Sequence, residues 1–172
     1  MNSGSDNEES ADSDWKVWLE EHAARLLLFA RYQARCEADA QDLVQEAIVE
    51  AWGRRQDGEP PPIALVFATI RRRAIDLARS DDSRTGREIR AAGEVPDLWF
   101  DSLVEDRERD LLLQEAVSHM QAIYRDVVML KVWGELTFAE IAEALDIPAN
   151  TAASRYRYGL AELRTLTKRI LP

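Results

Sequence analysis

Apolar positions along the chain recur at intervals of three and four, the period of an amphipathic helix, and nowhere alternate over any length. Trp18, Leu19, His22, Leu26, Phe29 and Ala30 predict a first helix beginning at Trp15. Ala40, Leu43, Ala47, Ile48, Ala51 and Trp52 predict a second within EADAQDLVQEAIVEAW, residues 37–52. Val66, Phe67, Ile70, Ala74 and Leu77 form the inward stripe of a third, over residues 63–79. Between the last two lies GRRQDGEPPP, residues 53–62. Its glycines and prolines stop a helix and make a loop.

The period returns near Glu105. Leu111, Leu112, Ala116, Val117 and Met120 mark one helix, and Val127, Val128, Leu130 and Val132 another. LTFAEIAEAL, starting at Leu136, then opens with Thr137 and carries Glu140 three residues later. That spacing is a capping box, in which the hydroxyl and the carboxylate each satisfy an orphan amide of the first turn. Phe138, Ile141, Ala142 and Leu145 face inward, DIP breaks the helix, and Pro148 suits the first turn of the next. Ala152, Tyr156, Leu160 and Leu163 give that last helix its inward stripe. The pair has the layout of a helix-turn-helix, whose second helix can enter a DNA groove. Residues 1–14 are acidic and poor in apolar side chains, which predicts a disordered tail. Residues 81–104 lose the period and read as a linker. The expected fold is therefore all-α, with two small helical domains, 15–80 and 105–172, joined by a flexible linker.

Charge changes the picture only when read locally. The 172 residues carry a net charge of -10, which disfavours unaided binding to DNA. Yet IRRRAIDLAR, residues 70–79, is strongly basic, and so is the stretch from Asn150 onward. On the outward side of the last helix stand Asn150, Thr151, Ser154, Arg155 and Arg157, residue types that read base edges or hold phosphates. A capped helix pair with solvated arginines would look the same, so this corner alone leaves DNA binding and plain packing both open. Cys36, His22 and His119 lie far apart and have no metal-ligand spacing. There is no phosphate cradle and no nucleophile–base–acid set, so neither a cofactor nor catalysis is expected. No long apolar run and no basic-then-apolar leader is present, which predicts a cytoplasmic protein without membrane insertion.

Two stretches, in order, carry a resemblance. DVVMLKVWGELTFAEIAEALDIPANTAASRYRYGLAELR resembles the promoter-binding C-terminal domain of bacterial sigma factors, through Gly134, Thr137, Phe138, Glu140, Ile141, Ala142, Leu145, Ile147, Pro148, Thr151, Ser154 and Arg155. Output domains of response regulators share much of that pattern. DAQDLVQEAIVEAW, residues 39–52, is similar to the sigma stretch that docks on the clamp helices of RNA polymerase. VFATIRRRAIDLARS, residues 66–80, resembles the adjoining helix that faces the minus-ten element.

The chain thus resembles a short sigma factor of the extracytoplasmic-function type. The resemblance implies core RNA polymerase and promoter DNA as partners, and it leaves open an anti-sigma factor as a third. It implies polymerase docking through Asp39, Asp42, Leu43, Gln45 and Glu46. It implies minus-ten contacts from Arg54, Arg55, Arg71, Arg72, Arg73 and Arg79, with Arg54 and Arg55 in a loop placed like the one that captures a flipped base. It implies minus-thirty-five contacts from Asn150, Thr151, Ser154, Arg155 and Arg157. In the linker, Asp97 and Asp101 would mimic nucleic-acid charge near the polymerase active centre. The chain departs from the pattern at Ala153, at Tyr158 and Gly159, where basic residues are usual, and at IALVF before the basic helix. Two other readings compete: a helix-turn-helix regulator that binds operator DNA alone, and a helical protein–protein module that has lost DNA binding.

Overall fold

The computed structural model describes residues 5–54, 59–84 and 107–170, and among these every regular element is a helix. In chain order they are α1 (Ser5–Gln33), α2 (Glu37–Gly53), α3 (Ile63–Arg84), α4 (Arg107–Ser118), α5 (Ala122–Val132), α6 (Phe138–Leu145) and α7 (Ala149–Ile170). The chain divides into two compact units, Met1–Ala91 and Ala92–Pro172.

In the first unit α1, α2 and α3 each pack on the other two. Phe29 and Phe67 meet edge to face with ring centroids 5.3 Å apart, between the fully buried Leu26, Val66 and Ile70. Ala40, Ala47 and Ala51 are the fully buried positions of α2, so its backbone comes close to its neighbours. The corner into α2 is tied by a fork. Arg31 donates from Nε and Nη2 to the two carboxylate oxygens of Glu37, at 2.8 and 2.9 Å. The cation lies in the last turn of α1 and the anion in the first turn of α2, where each helix dipole favours it. Trp15 and Trp18 stack at 5.2 Å, and Trp15 meets Trp52 of α2 at 4.7 Å.

Helix α1 begins at Ser5, not at Trp15, so the stretch expected to be a disordered tail is helical from Ser5 onward. The composition rule saw only the lack of apolar residues. Helix α3 runs to Arg84, past the expected end at Arg79. The linker reading, with Asp97 and Asp101, otherwise falls outside the described residues, as does Arg55.

In the second unit α7 packs on α4, α5 and α6. Val127, Val128, Met129 and Leu130 of α5 are all buried, so this helix is covered on every side over that turn. Its end is forced. A Cβ on Gly134 would stand 2.6 Å from the Leu130 carbonyl oxygen, and Glu135 follows with φ 57°, in the left-handed region. The capping box is present: the Glu140 amide donates to the Thr137 hydroxyl oxygen, and the Thr137 amide donates to Glu140 Oε2 at 2.7 Å. Asp146, at φ 52°, closes α6 and turns the chain. Pro148 lies just before α7, where its carbonyl accepts from the Thr151 and Ala152 amides.

Five apolar positions expected inside are exposed: Trp52, Leu77, Leu111, Val132 and Leu160. Leu77 lies past Ala74, the last buried residue of α3 among the described ones, and Leu111 and Val132 lie toward the ends of the described parts of their helices. Leu160 is displaced by Gly159, which takes the buried place beside α5.

Candidate nucleic-acid interface

Each unit presents its own face. On α2, the exposed residues Asp42, Gln45, Glu46 and Val49 follow one another at helical spacing and form a single outward stripe. Asp39 flanks it, half-buried. Leu43, expected among the docking residues, is only 4 % exposed and belongs to the core. One position away from Asp42 turns it through about 100° into the helix's buried side. Val49, 71 % exposed, completes the stripe in its stead. Its exposure could not be read from its apolar character.

The arginines expected at the minus-ten side do not stand alone. Arg54, Arg72 and Arg73 all pair with Glu50. Arg73 also reaches Glu46, so one member of the outward α2 stripe is bonded to one of the candidate DNA contacts. Burial works to raise the Glu50 carboxyl, but hydrogen bonds from Arg73 and Arg72 and the charges of Arg72 and Arg54 outweigh it and hold the group below its ordinary range. Arg71 is half-buried on the same helix, and Arg79 is exposed two turns on. Glu50 is the residue that sequence reasoning missed. Its i,i+4 spacing to Arg54 was readable, but its pairing with Arg72 and Arg73 is tertiary.

On α7, Ala152 and Gly159 fix the buried side. Opposite them Asn150, Ser154 and Arg157 line the outward side, with Asn150 and Arg157 fully on the surface. Thr151 is half-buried beside them. Arg155 is separated from Arg157 by about 160° around the helix. It therefore lies on the flank, half-buried, and not on the central ridge. The two arginines, both expected on the outward face, stand on different sides of the helix. The Arg157 guanidinium sits 5.3 Å over the ring of Tyr158, which itself lies 6.3 Å from Tyr124. The Ser154 hydroxyl donates to the Thr151 carbonyl at 3.0 Å, so it meets an outside group as an acceptor unless that bond opens. Phe138 of α6 packs edge-on against Tyr156 and carries Lys131 over its face at 5.1 Å, which braces the corner.

No group of three or more metal-ligating side chains is found among the described residues, and no helix among them is long and apolar enough to cross a membrane.

One unit thus presents an outward stripe bearing Asp42 and Glu46, and the other a helix-turn-helix with a polar outer ridge bearing Arg157. Sigma-70 region 2 matches residues 18–84, and Sigma-70 region 4 matches residues 110–163. The RNA polymerase sigma-E factor of Streptomyces avermitilis is 33 % identical over 139 residues, covering 81 % of this chain and 76 % of its own. The ECF RNA polymerase sigma factor SigL of Mycobacterium tuberculosis is 29 % identical over 152 residues, covering 87 % and 86 %. Among solved structures, the sigma factor RpoE of Bartonella quintana, in complex with the anti-sigma factor NepR, shares the fold. The TM-score is 0.67 at 20 % identity, over 90 % of this chain and 97 % of that one. The chain belongs to the sigma-70 family, among the RNA polymerase sigma factors of the ECF type.

Proposed function

We propose that this sigma factor divides its work between the two faces just described. The stripe Asp42–Gln45–Glu46–Val49 docks on core RNA polymerase. The arginines around Glu50, with Arg71 and Arg79, hold the promoter at the minus-ten element. The ridge Asn150–Ser154–Arg157, flanked by Thr151 and Arg155, meets the minus-thirty-five element. The protein works in the cytoplasm by binding, with no reaction of its own.

The observation that carries this reading is the separation of charge. A chain of net charge -10 puts Asp42 and Glu46 on the outward stripe of α2 and Arg157 on the outer ridge of α7. Such a protein is a poor ligand for free DNA, because phosphate neutralisation dominates that affinity. Within a complex whose other subunits supply most phosphate contacts, two small readers suffice. The test is to mix the purified chain with core polymerase and genomic DNA and to sequence the transcripts. A discrete set of start sites sharing upstream elements is expected. Binding of operator DNA by the chain alone, with no effect on polymerase, would support the plain regulator in its place.

A further inference from the structure

Glu50 stands where guanidinium groups from two helices meet. Arg54, one turn along α2, donates from Nη2 to Oε1, and Arg72 of α3 donates from Nη2 to the same oxygen. Arg73 gives Nε to Oε2 at 2.8 Å, and its Nη2 lies 2.8 Å from that oxygen, while Nη1 reaches Glu46. The anion lies beneath the cations: the Glu50 side chain is 18 % exposed, against 54 % for Arg54, 50 % for Arg72 and 32 % for Arg73.

Two physical consequences follow. Without Glu50, Arg54 and Arg72 would lose the carboxylate they share and Arg73 would keep its bond to Glu46, so like charges gathered at one spot would repel. With it, little of the outer surface of the arginines is spent. A guanidinium has five N–H donors, and Arg54 and Arg72 each give Glu50 only one. The others leave capacity for a further acceptor. Phosphate is the acceptor whose geometry suits a fixed planar donor fork. Holding the side chains in advance also removes part of the entropy that ordering them at a strand would cost.

We propose that Glu50 is a positioning residue for the promoter, gathering Arg54, Arg72 and Arg73 into one fixed cationic cluster that holds phosphates of the DNA strand beside the polymerase-docking stripe. This rests on the minus-ten role proposed above and names the residue that organises it. Through Arg73, which touches both Glu50 and Glu46, the cluster is in register with the docked face.

The experiment compares wild type, Glu50→Gln, Arg72→Ala and the double variant, each assembled with core polymerase. Binding to a fluorescent promoter fragment is measured across a salt series. Glu50→Gln is expected to co-elute with core polymerase as wild type does, yet bind the fragment about tenfold more weakly, the order for losing a hydrogen bond to a charged group. The salt slope should fall by about one. Arg72→Ala should lose a similar factor, and the double variant little more than either, because the two residues act as a unit. Tighter binding by Glu50→Gln overturns the proposal, since Glu50 would then be masking the arginines. A lowered melting temperature with unchanged affinity and salt slope overturns it too, since the role would be structural only. Should Glu50→Gln not fold, Arg72→Lys keeps the charge but not the shared geometry, and unchanged promoter binding by that variant overturns the proposal. If wild type itself neither joins core polymerase nor retains the fragment, it is the sigma reading of these faces that fails.

Discussion

A Cβ built on Gly159 would stand 2.6 Å from Cγ2 of Val128 and 3.3 Å from the Tyr124 carbonyl oxygen, so α7 makes a close crossing of α5 at a residue without a side chain. Val128 is fully buried and β-branched, with one strongly preferred rotamer in a helix, so it cannot swing aside cheaply. Gly159→Ala gains about 1 kcal/mol of helix propensity but overpacks the crossing by about 1–3 kcal/mol. The clash should win. The second unit is expected to lose about 1 kcal/mol net, lowering its melting temperature by roughly 4–8 °C. A melting temperature at or above that of wild type would show that the crossing gives way more easily than this geometry implies.

Thr137→Ala removes the hydroxyl that accepts the Glu140 amide, and should cost about 1 kcal/mol, the usual worth of an N-cap. The effect should fade in acid. Hydrogen bonds from the Thr137 hydroxyl and then from its amide hold the Glu140 carboxyl below its ordinary value of 4.5, against the opposing pull of burial. A depressed carboxyl adds stability above its unfolded pKa and loses it as pH falls through the folded value. The gap in melting temperature between wild type and Thr137→Ala should therefore narrow below pH 4.5. Thermal melts from neutral pH into acid measure it, and a gap that widens in acid would contradict this account. Glu37, held down first by its bond from Arg31, and Glu50 add to the same acid loss in the first unit.

What the sequence could reveal was what depends on neighbours along the chain. The helix-turn-helix was legible because the Thr137–Glu140 cap, the Asp146–Pro148 break and the stripe through Ile141 and Leu145 are all local. The start of α1 was not, because a tail without apolar residues can still continue a helix anchored farther on by Trp15 and Trp18. Leu43 was misread because motif membership says nothing of which side a residue faces. Glu50 was passed over because its partners Arg72 and Arg73 come from another helix.

The docking stripe gives a test free of that network. Reversing charge at Glu46 would also disturb Arg73, to which it is bonded, so Asp42 and Val49 are the cleaner positions. Asp42→Lys with Val49→Asp changes two exposed side chains and should move the melting temperature by no more than about 4–8 °C, since surface changes of this kind stay within about 0.5 kcal/mol each. Assembly with core polymerase should weaken by at least tenfold, about the 1.4 kcal/mol that such a factor represents. Unchanged co-elution of the double variant would remove the stripe from the interface.

The outer ridge of α7 makes the sharpest distinction. Arg157 lies on the ridge with its guanidinium held over Tyr158, and Arg155 lies on the flank. A groove that receives the ridge puts Arg157 nearest the base edges and Arg155 nearest one phosphate wall. Arg157→Ala should then cost about 1–3 kcal/mol of promoter binding and relax preference at one upstream position. Arg155→Ala should weaken binding to all sequences alike and lower the salt slope by about one. Tyr158→Ala, which removes the ring under Arg157, should reproduce part of the Arg157 loss, of the order of the 0.5–1 kcal/mol of an exposed cation–π pair. Holoenzyme binding across salt and across upstream-element variants separates these outcomes. Should Arg155→Ala relax sequence preference while Arg157→Ala does not, the helix enters the groove on its flank and the ridge assignment is wrong.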